Sequence, residues 1–252
     1  MRKLVYVLLF CISFVSVSFA GETKDLILAA NDHVGISFWL ATAIMLAAAV
    51  FFFLERDRVA GKWKTSLSVA GLICGVAFWH YLYMRGLWVN TGESPTVFRY
   101  VDWLITVPLQ IVEFYLIIAA VTTVRSGLFW KLLIASLVML LGGYLGEVGT
   151  INATLGFIIG MAGWLYIIYE IFAGEAAKAS QGSGNIASQK AFKTLRIIVT
   201  AGWSIYPIGY FLGYLAGGAN SDVINIIYNY ADLVNKAWFG LAIWAAAVQD
   251  SE

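Results

Sequence analysis

From about residue 34 onward the chain is a succession of seven apolar runs, at roughly 34–54, 66–87, 97–120, 128–147, 152–173, 194–215 and 223–248. Each is close to the roughly 20 residues that a helix needs to cross the hydrocarbon core of a bilayer. Backbone in lipid has to satisfy its own hydrogen bonds, and runs of this length do so as helices rather than barrel strands. The expected fold class is an all-α membrane protein, a bundle of seven transmembrane helices. Of 252 residues, 61% are hydrophobic and only 12% are charged, which excludes a disordered chain and argues against a soluble globule. The net charge of +1 provides no field for a nucleic-acid partner, so the expected surroundings are a lipid bilayer. The cysteines are Cys11, in a segment expected to be removed, and Cys74, in an apolar run, so no disulfide framework is expected, and no metal-ligand spacing is present.

Residues 1–20, MRKLVYVLLFCISFVSVSFA, have a basic start, an apolar run and small residues at Ser18 and Ala20. This is the pattern of a cleaved signal peptide, leaving one transmembrane domain over 21–252. The basic residues Arg56, Arg58, Lys62, Lys64, Arg125, Lys131, Lys178, Lys190, Lys193 and Arg196 all fall on one side of the spans, against Lys24 and Arg85 on the other. The positive-inside rule puts the first set in the cytoplasm and the amino end outside, which agrees with the signal peptide. The longest connection is expected on the basic side, over GEAAKASQGSGNIASQK (174–190).

Five ionisable residues interrupt the spans: Arg99, Asp102, Glu113, Asp232 and Lys236. A charge at the centre of a membrane helix costs about 2.5–3.5 kcal/mol on insertion scales, so such residues mark functional paths. Buried ion pairs that merely pin helices together are poor stabilisers. Arg99 and Asp102 are three apart, and Asp102–Thr106 and Asp232–Lys236 are four apart, so each pair shares a helix face. Asp102 and Glu113 point the same way, about 16 Å apart along the axis. Glu113 has no cation in its local sequence and is expected to be neutral at rest. A neutral acid in line with an ionised one makes a proton donor and a proton acceptor. Lys236 is too deep to reach water easily, which suits an amine used as a covalent handle.

The motifs RYVDWLITVPL (99–109), WSIYPIGY (203–210) and DLVNK (232–236) together resemble the microbial rhodopsins. FWHYLYMRG (78–86) and ERDRV (55–59) are similar to the proteorhodopsin branch in particular. The resemblance spans essentially all of the expected mature chain and implies a seven-helix bundle of that type. It implies all-trans retinal covalently bound to Lys236 as a Schiff base. Asp102 then matches the primary counter-ion and proton acceptor, Asp232 the second counter-ion, and Glu113 the proton donor. Arg99 matches the arginine that organises the outer half-channel, and His80 a histidine hydrogen-bonded to the acceptor. Trp103, Thr106, Trp164, Trp203, Tyr206, Pro207 and Tyr210 match the chromophore pocket.

The same resemblance implies a light-driven outward proton pump of the bacterial inner membrane, not an enzyme, assembled as a homo-pentamer or homo-hexamer. Sodium pumps of the family carry Asn and Gln around an Asp, and chloride pumps lack the acidic acceptor. Gln110 occupies the position that is commonly Leu in green-absorbing members and Gln in blue-absorbing ones. Phe157 stands where relatives with a carotenoid antenna have glycine. The alternatives are a photosensor signalling through a membrane partner and a colourless seven-helix transporter or receptor.

Overall fold

A computed structural model describes residues 28–218 and 220–252, so the expected leader and cleavage site lie outside the described residues. Seven long helical segments follow one another between His33 and Gln249, with no strand among the described residues. The first four are His33–Glu55, Lys64–Thr91, Thr96–Ala119 and Ser126–Glu147. The fifth is Ala153–Phe172. The sixth runs over Ile186–Leu215 and the seventh over 221–249. Six of these are long and apolar enough by composition alone to cross a membrane. The seventh is interrupted by Asn225, Asn229, Asp232, Asn235 and Lys236.

Helix starts and stops follow local chemistry. Asn152, Asn185 and Asn220 precede the fifth, sixth and seventh helices, and each side-chain oxygen accepts a backbone N–H of the first turn. That satisfies donors that a helix start leaves free. The second helix ends at Gly92, whose φ of 69° is a conformation that L side chains rarely adopt. The segment 174–190 departs from the expected loop. Glu175–Gly182 is helical, and the sixth helix begins at Ile186, eight residues before the apolar run expected from 194. Its Ala, Lys and Gln residues favour helix, and polar composition marks only where the chain leaves the hydrocarbon.

The helices close into a ring. Each packs against its neighbour in sequence, and the seventh also packs on the first. The third is the most enclosed of the six apolar spans. Large apolar side chains such as Trp130, Ile134, Ile158, Leu165 and Trp238 face outward, more than half exposed. Arg99, Asp102, Glu113, Asp232 and Lys236 are each at most 3% exposed. Apolar outside and ionisable inside is the arrangement that a bilayer solvent demands. The sixth and seventh helices contain wider π turns at Ile198–Gly202, Phe211–Leu215 and Val234–Trp238. The last of these carries Lys236, and such turns often occur at functional positions.

Candidate functional site

The site is built where the third and seventh helices face each other. Lys236 Nζ donates to Asp102 Oδ2 at 2.9 Å and to Asp232 Oδ2 at 2.7 Å. Asp232 is a helical turn before Lys236 on the same helix, whereas Asp102 reaches in from the third. One buried amine is thus held between two buried carboxylates.

The two carboxylates are held differently. Asp232 accepts from Tyr206 Oη at 2.6 Å, Tyr81 Oη at 2.9 Å and Trp103 Nε1 at 3.2 Å. Asp102 Oδ1 has no hydrogen-bond partner among the described residues. His80 Nδ1 lies 3.6 Å from it, just beyond hydrogen-bonding reach. That ring nitrogen lies 2.9 Å from the Val76 carbonyl instead. Thr106 Oγ1 donates to the backbone carbonyl of Asp102 at 3.0 Å, not to its carboxylate.

Arg99 is not the cation beside Asp102, although the spacing of three puts both on one helix face. Its Nη2 donates to Asn225 Oδ1 and Asn229 Oδ1, each at 2.8 Å, while Nε and Nη1 have no partner among the described residues. Asn229 in turn donates to Ser37 Oγ at 2.8 Å, tying the seventh helix to the first. The cation that serves Asp102 is Lys236.

Glu113 is fully buried, and neither carboxyl oxygen has a hydrogen-bond partner among the described residues. Pro108 lies between Asp102 and Glu113 and lacks the N–H that the Leu104 carbonyl would otherwise receive. Toward the basic end, aromatic rings close the space beside Glu113. Phe114 packs edge-on to Phe192 at 5.2 Å and to Phe239 at 6.3 Å.

A cavity opens from Lys236 toward the fourth and fifth helices, with about 820 Å³ of atom-free space including its mouth. Its walls include Trp103, Gln110, Trp164, Trp203, Tyr206, Pro207 and Tyr210. Thr106 is outside this lining and lies on the carboxylate side. Gln110 Nε2 donates to the carbonyl of Asn235, the residue before the lysine, at 2.9 Å. Trp164 Nε1 donates to the Val199 carbonyl at 3.0 Å, and Tyr210 Oη to the Ala153 carbonyl at 2.9 Å. These bonds lock the aromatic walls in place. Phe157 lines the far end and packs on Tyr210 with ring centroids 5.6 Å apart.

Sequence reasoning missed Tyr81, Asn225, Asn229 and Asn235. Asn225 and Asn229 carried a readable signal, because 225, 229, 232 and 236 fall at steps of four, three and four, one continuous helix face that Asn235 does not share. Tyr81 had none, since it follows His80 in an aromatic run and its partner is far away in sequence. Glu147 lines the cavity and accepts from Tyr214 Oη at 2.5 Å.

A ring of seven spanning helices with two buried carboxylates held around one buried amine defines a polytopic membrane protein that works from its interior. The sequence profile of the family described as "Bacteriorhodopsin-like protein" matches residues 32–250. The chain belongs to this bacteriorhodopsin-like family of microbial rhodopsins, on its proteorhodopsin branch. It is 56% identical over 253 residues to the blue-light absorbing proteorhodopsin of Gamma-proteobacterium Hot 75m4, covering 100% of this chain and 99% of that one. It is 57% identical over 235 residues to the green-light absorbing proteorhodopsin of Gamma-proteobacterium EBAC31A08, covering 93% of each. The crystal structure of the blue light-absorbing proteorhodopsin from Med12 is 64% identical and matches with a TM-score of 0.75, over 86% of this chain and 98% of that one.

Proposed function

We propose that this protein is a light-driven, outward proton pump that absorbs blue light through all-trans retinal attached to Lys236. The observation that carries this reading is the asymmetry of the two carboxylates around the Lys236 nitrogen. Hydrogen bonds to the charged form of an acid favour that form. Asp232, with its three side-chain donors besides Lys236, is held as a permanent counter-ion. Asp102 leaves one oxygen without a partner and lies 2.9 Å from the nitrogen, so it is the better base within direct reach.

The residues present fit retinal. A cavity walled mainly by aromatic and other apolar side chains, with a few polar groups, ends at a buried amine, which is the lining usual for a small-molecule site. Bound through Lys236 Nζ, retinal would supply light absorption and the light-driven displacement of the nitrogen's proton. Asp102 receives that proton on the side away from the basic loops. Glu113 holds a second proton in a dry environment and returns it to the nitrogen. Its distance along the third helix from Asp102, about 16 Å, calls for water as the relay. Arg99, with its unpartnered nitrogens, is disposed to steer the released proton outward, and His80 to adjust Asp102 from its free side.

The basic side faces the cytoplasm, with the amino end outside after removal of residues 1–20 and the domain 21–252 left in the bacterial inner membrane. Assembly is as a homo-pentamer or homo-hexamer. Blue absorption rests on Gln110. A polar group partway along the chromophore favours the ground-state charge distribution, so the excitation gap widens. The 64% identical structure is named as blue light-absorbing, whereas the curated relatives at 54–57% identity include both blue- and green-light absorbing proteins, so Gln110 carries the reading. Illumination of cells that express the protein and are supplied with retinal tests the pump. The medium should acidify, a protonophore should abolish the change, and a coloured protein that leaves the pH untouched would instead support a sensor.

A further inference from the structure

The seventh helix ends at Gln249, and the next residue, Asp250, gathers three donors from distant parts of the chain. Lys62 Nζ lies 2.7 Å and Trp63 Nε1 2.8 Å from Oδ2, while Asn185 Nδ2 lies 2.6 Å from Oδ1. Ser251 Oγ accepts the Ala60 N–H at 2.8 Å beside it. Asn185 also caps the sixth helix, where its Oδ1 accepts the Ser188 N–H at 2.8 Å. Asp250 therefore ties together the first connecting loop, the start of the sixth helix and the end of the seventh.

Beneath this knot lies a closely packed end of the bundle. On the basic side of Glu113, Ile117, Ile118, Leu195, Ile243 and Ala247 are all fully buried, and buried Ser188 donates to the Ile117 carbonyl at 2.9 Å. A proton cannot cross such packing without water. Asp250 holds the sixth and seventh helices and the first connecting loop together at this end.

We propose that Asp250 is a latch, a positioning residue that sets how fast the basic end opens to reprotonate Glu113. The inference rests on the pumping reading and adds to it the control of its uptake step. Transient absorption and proton-uptake kinetics, measured with a soluble pH dye on the full-length, retinal-loaded protein, provide the test. Asp250→Asn should leave the colour and the early proton transfer to Asp102 unchanged and speed proton uptake and recovery severalfold. Asp250→Glu should restore the slower rate. Asn185→Asp is a second route, because aspartate still caps a helix but turns the Nδ2 donor into a carboxylate facing Asp250. Uptake that is unchanged or slower in coloured Asp250→Asn and Asn185→Asp proteins would overturn the latch alone. A wild-type protein without light-driven uptake would overturn the pumping reading, and the latch with it.

Discussion

Lys236 Nζ and Asp102 Oδ2 lie 2.9 Å apart across the interface of the seventh and third helices, with both residues buried. Nothing polar stands between them, and Asp102 is free on its other oxygen. A proton on the nitrogen is already at hydrogen-bond distance from its acceptor.

Replacing the amine should remove both colour and charge balance. Lys236→Ala mixed with all-trans retinal should show no visible absorption band. It leaves Asp102 and Asp232 facing each other without a cation, and breaking a buried pair in this way costs about 3–5 kcal/mol unless one acid becomes protonated. Thermal unfolding followed by circular dichroism should show the lower midpoint. A coloured Lys236→Ala protein would place the chromophore elsewhere.

Gln110→Leu should shift the absorption maximum to longer wavelength. The change also deletes the bond from Gln110 Nε2 to the Asn235 carbonyl, which leaves that acceptor buried beside Lys236. The expected loss of stability is about 1–3 kcal/mol. Spectra and melting curves of the pigment separate the two effects, and an unmoved band would refute the tuning role.

What the sequence made legible follows from how costly each feature is. Charges in an apolar run stand out because lipid penalises them, so Arg99, Asp102, Glu113, Asp232 and Lys236 are conspicuous in the bare sequence. The seven spans are conspicuous for the same reason. The partners of those charges are less so. Arg99 and Asp102 share a face, yet Arg99 reaches the asparagines of the seventh helix, because helix spacing reports direction within one helix and not what faces it. Tyr81 and the Asp250 knot depend on contacts between residues 65 or more positions apart, which no local pattern encodes. The helix at Glu175–Gly182 was hidden by its polarity, because hydropathy marks the membrane boundary and not the helix boundary.

Glu113→Gln should keep the colour and the early transfer to Asp102 but slow recovery of the dark state. General acid catalysis contributes typically 10²–10⁴-fold, so recovery slower by about a hundredfold is expected. Time-resolved absorption after a laser flash checks it. Recovery at the wild-type rate would mean that the returning proton does not pass through Glu113.

Asp250 carries a pH dependence of known sign. Partial burial pushes its carboxyl up, but hydrogen bonds from Lys62, Asn185 and Trp63, with the Lys62 charge, outweigh that and hold it below the ordinary value of 3.8. A depressed value means that the ionised form favours the folded state. Its contribution to stability is present above pH 3.8 and is lost as the pH falls through the lower folded value. Melting curves of the wild type and of Asp250→Asn should therefore differ at neutral pH and converge in acid below that range. Curves that coincide at neutral pH would show that the knot contributes nothing.

The most direct measurement is a light-minus-dark infrared difference spectrum of the retinal-loaded protein in the carboxylic C=O region. A positive band should appear as the nitrogen gives up its proton, persist in Asp232→Asn where that variant retains its colour, and vanish in Asp102→Asn. A band that survives in Asp102→Asn and disappears in Asp232→Asn would assign the proton to the wrong carboxylate and contradict the account.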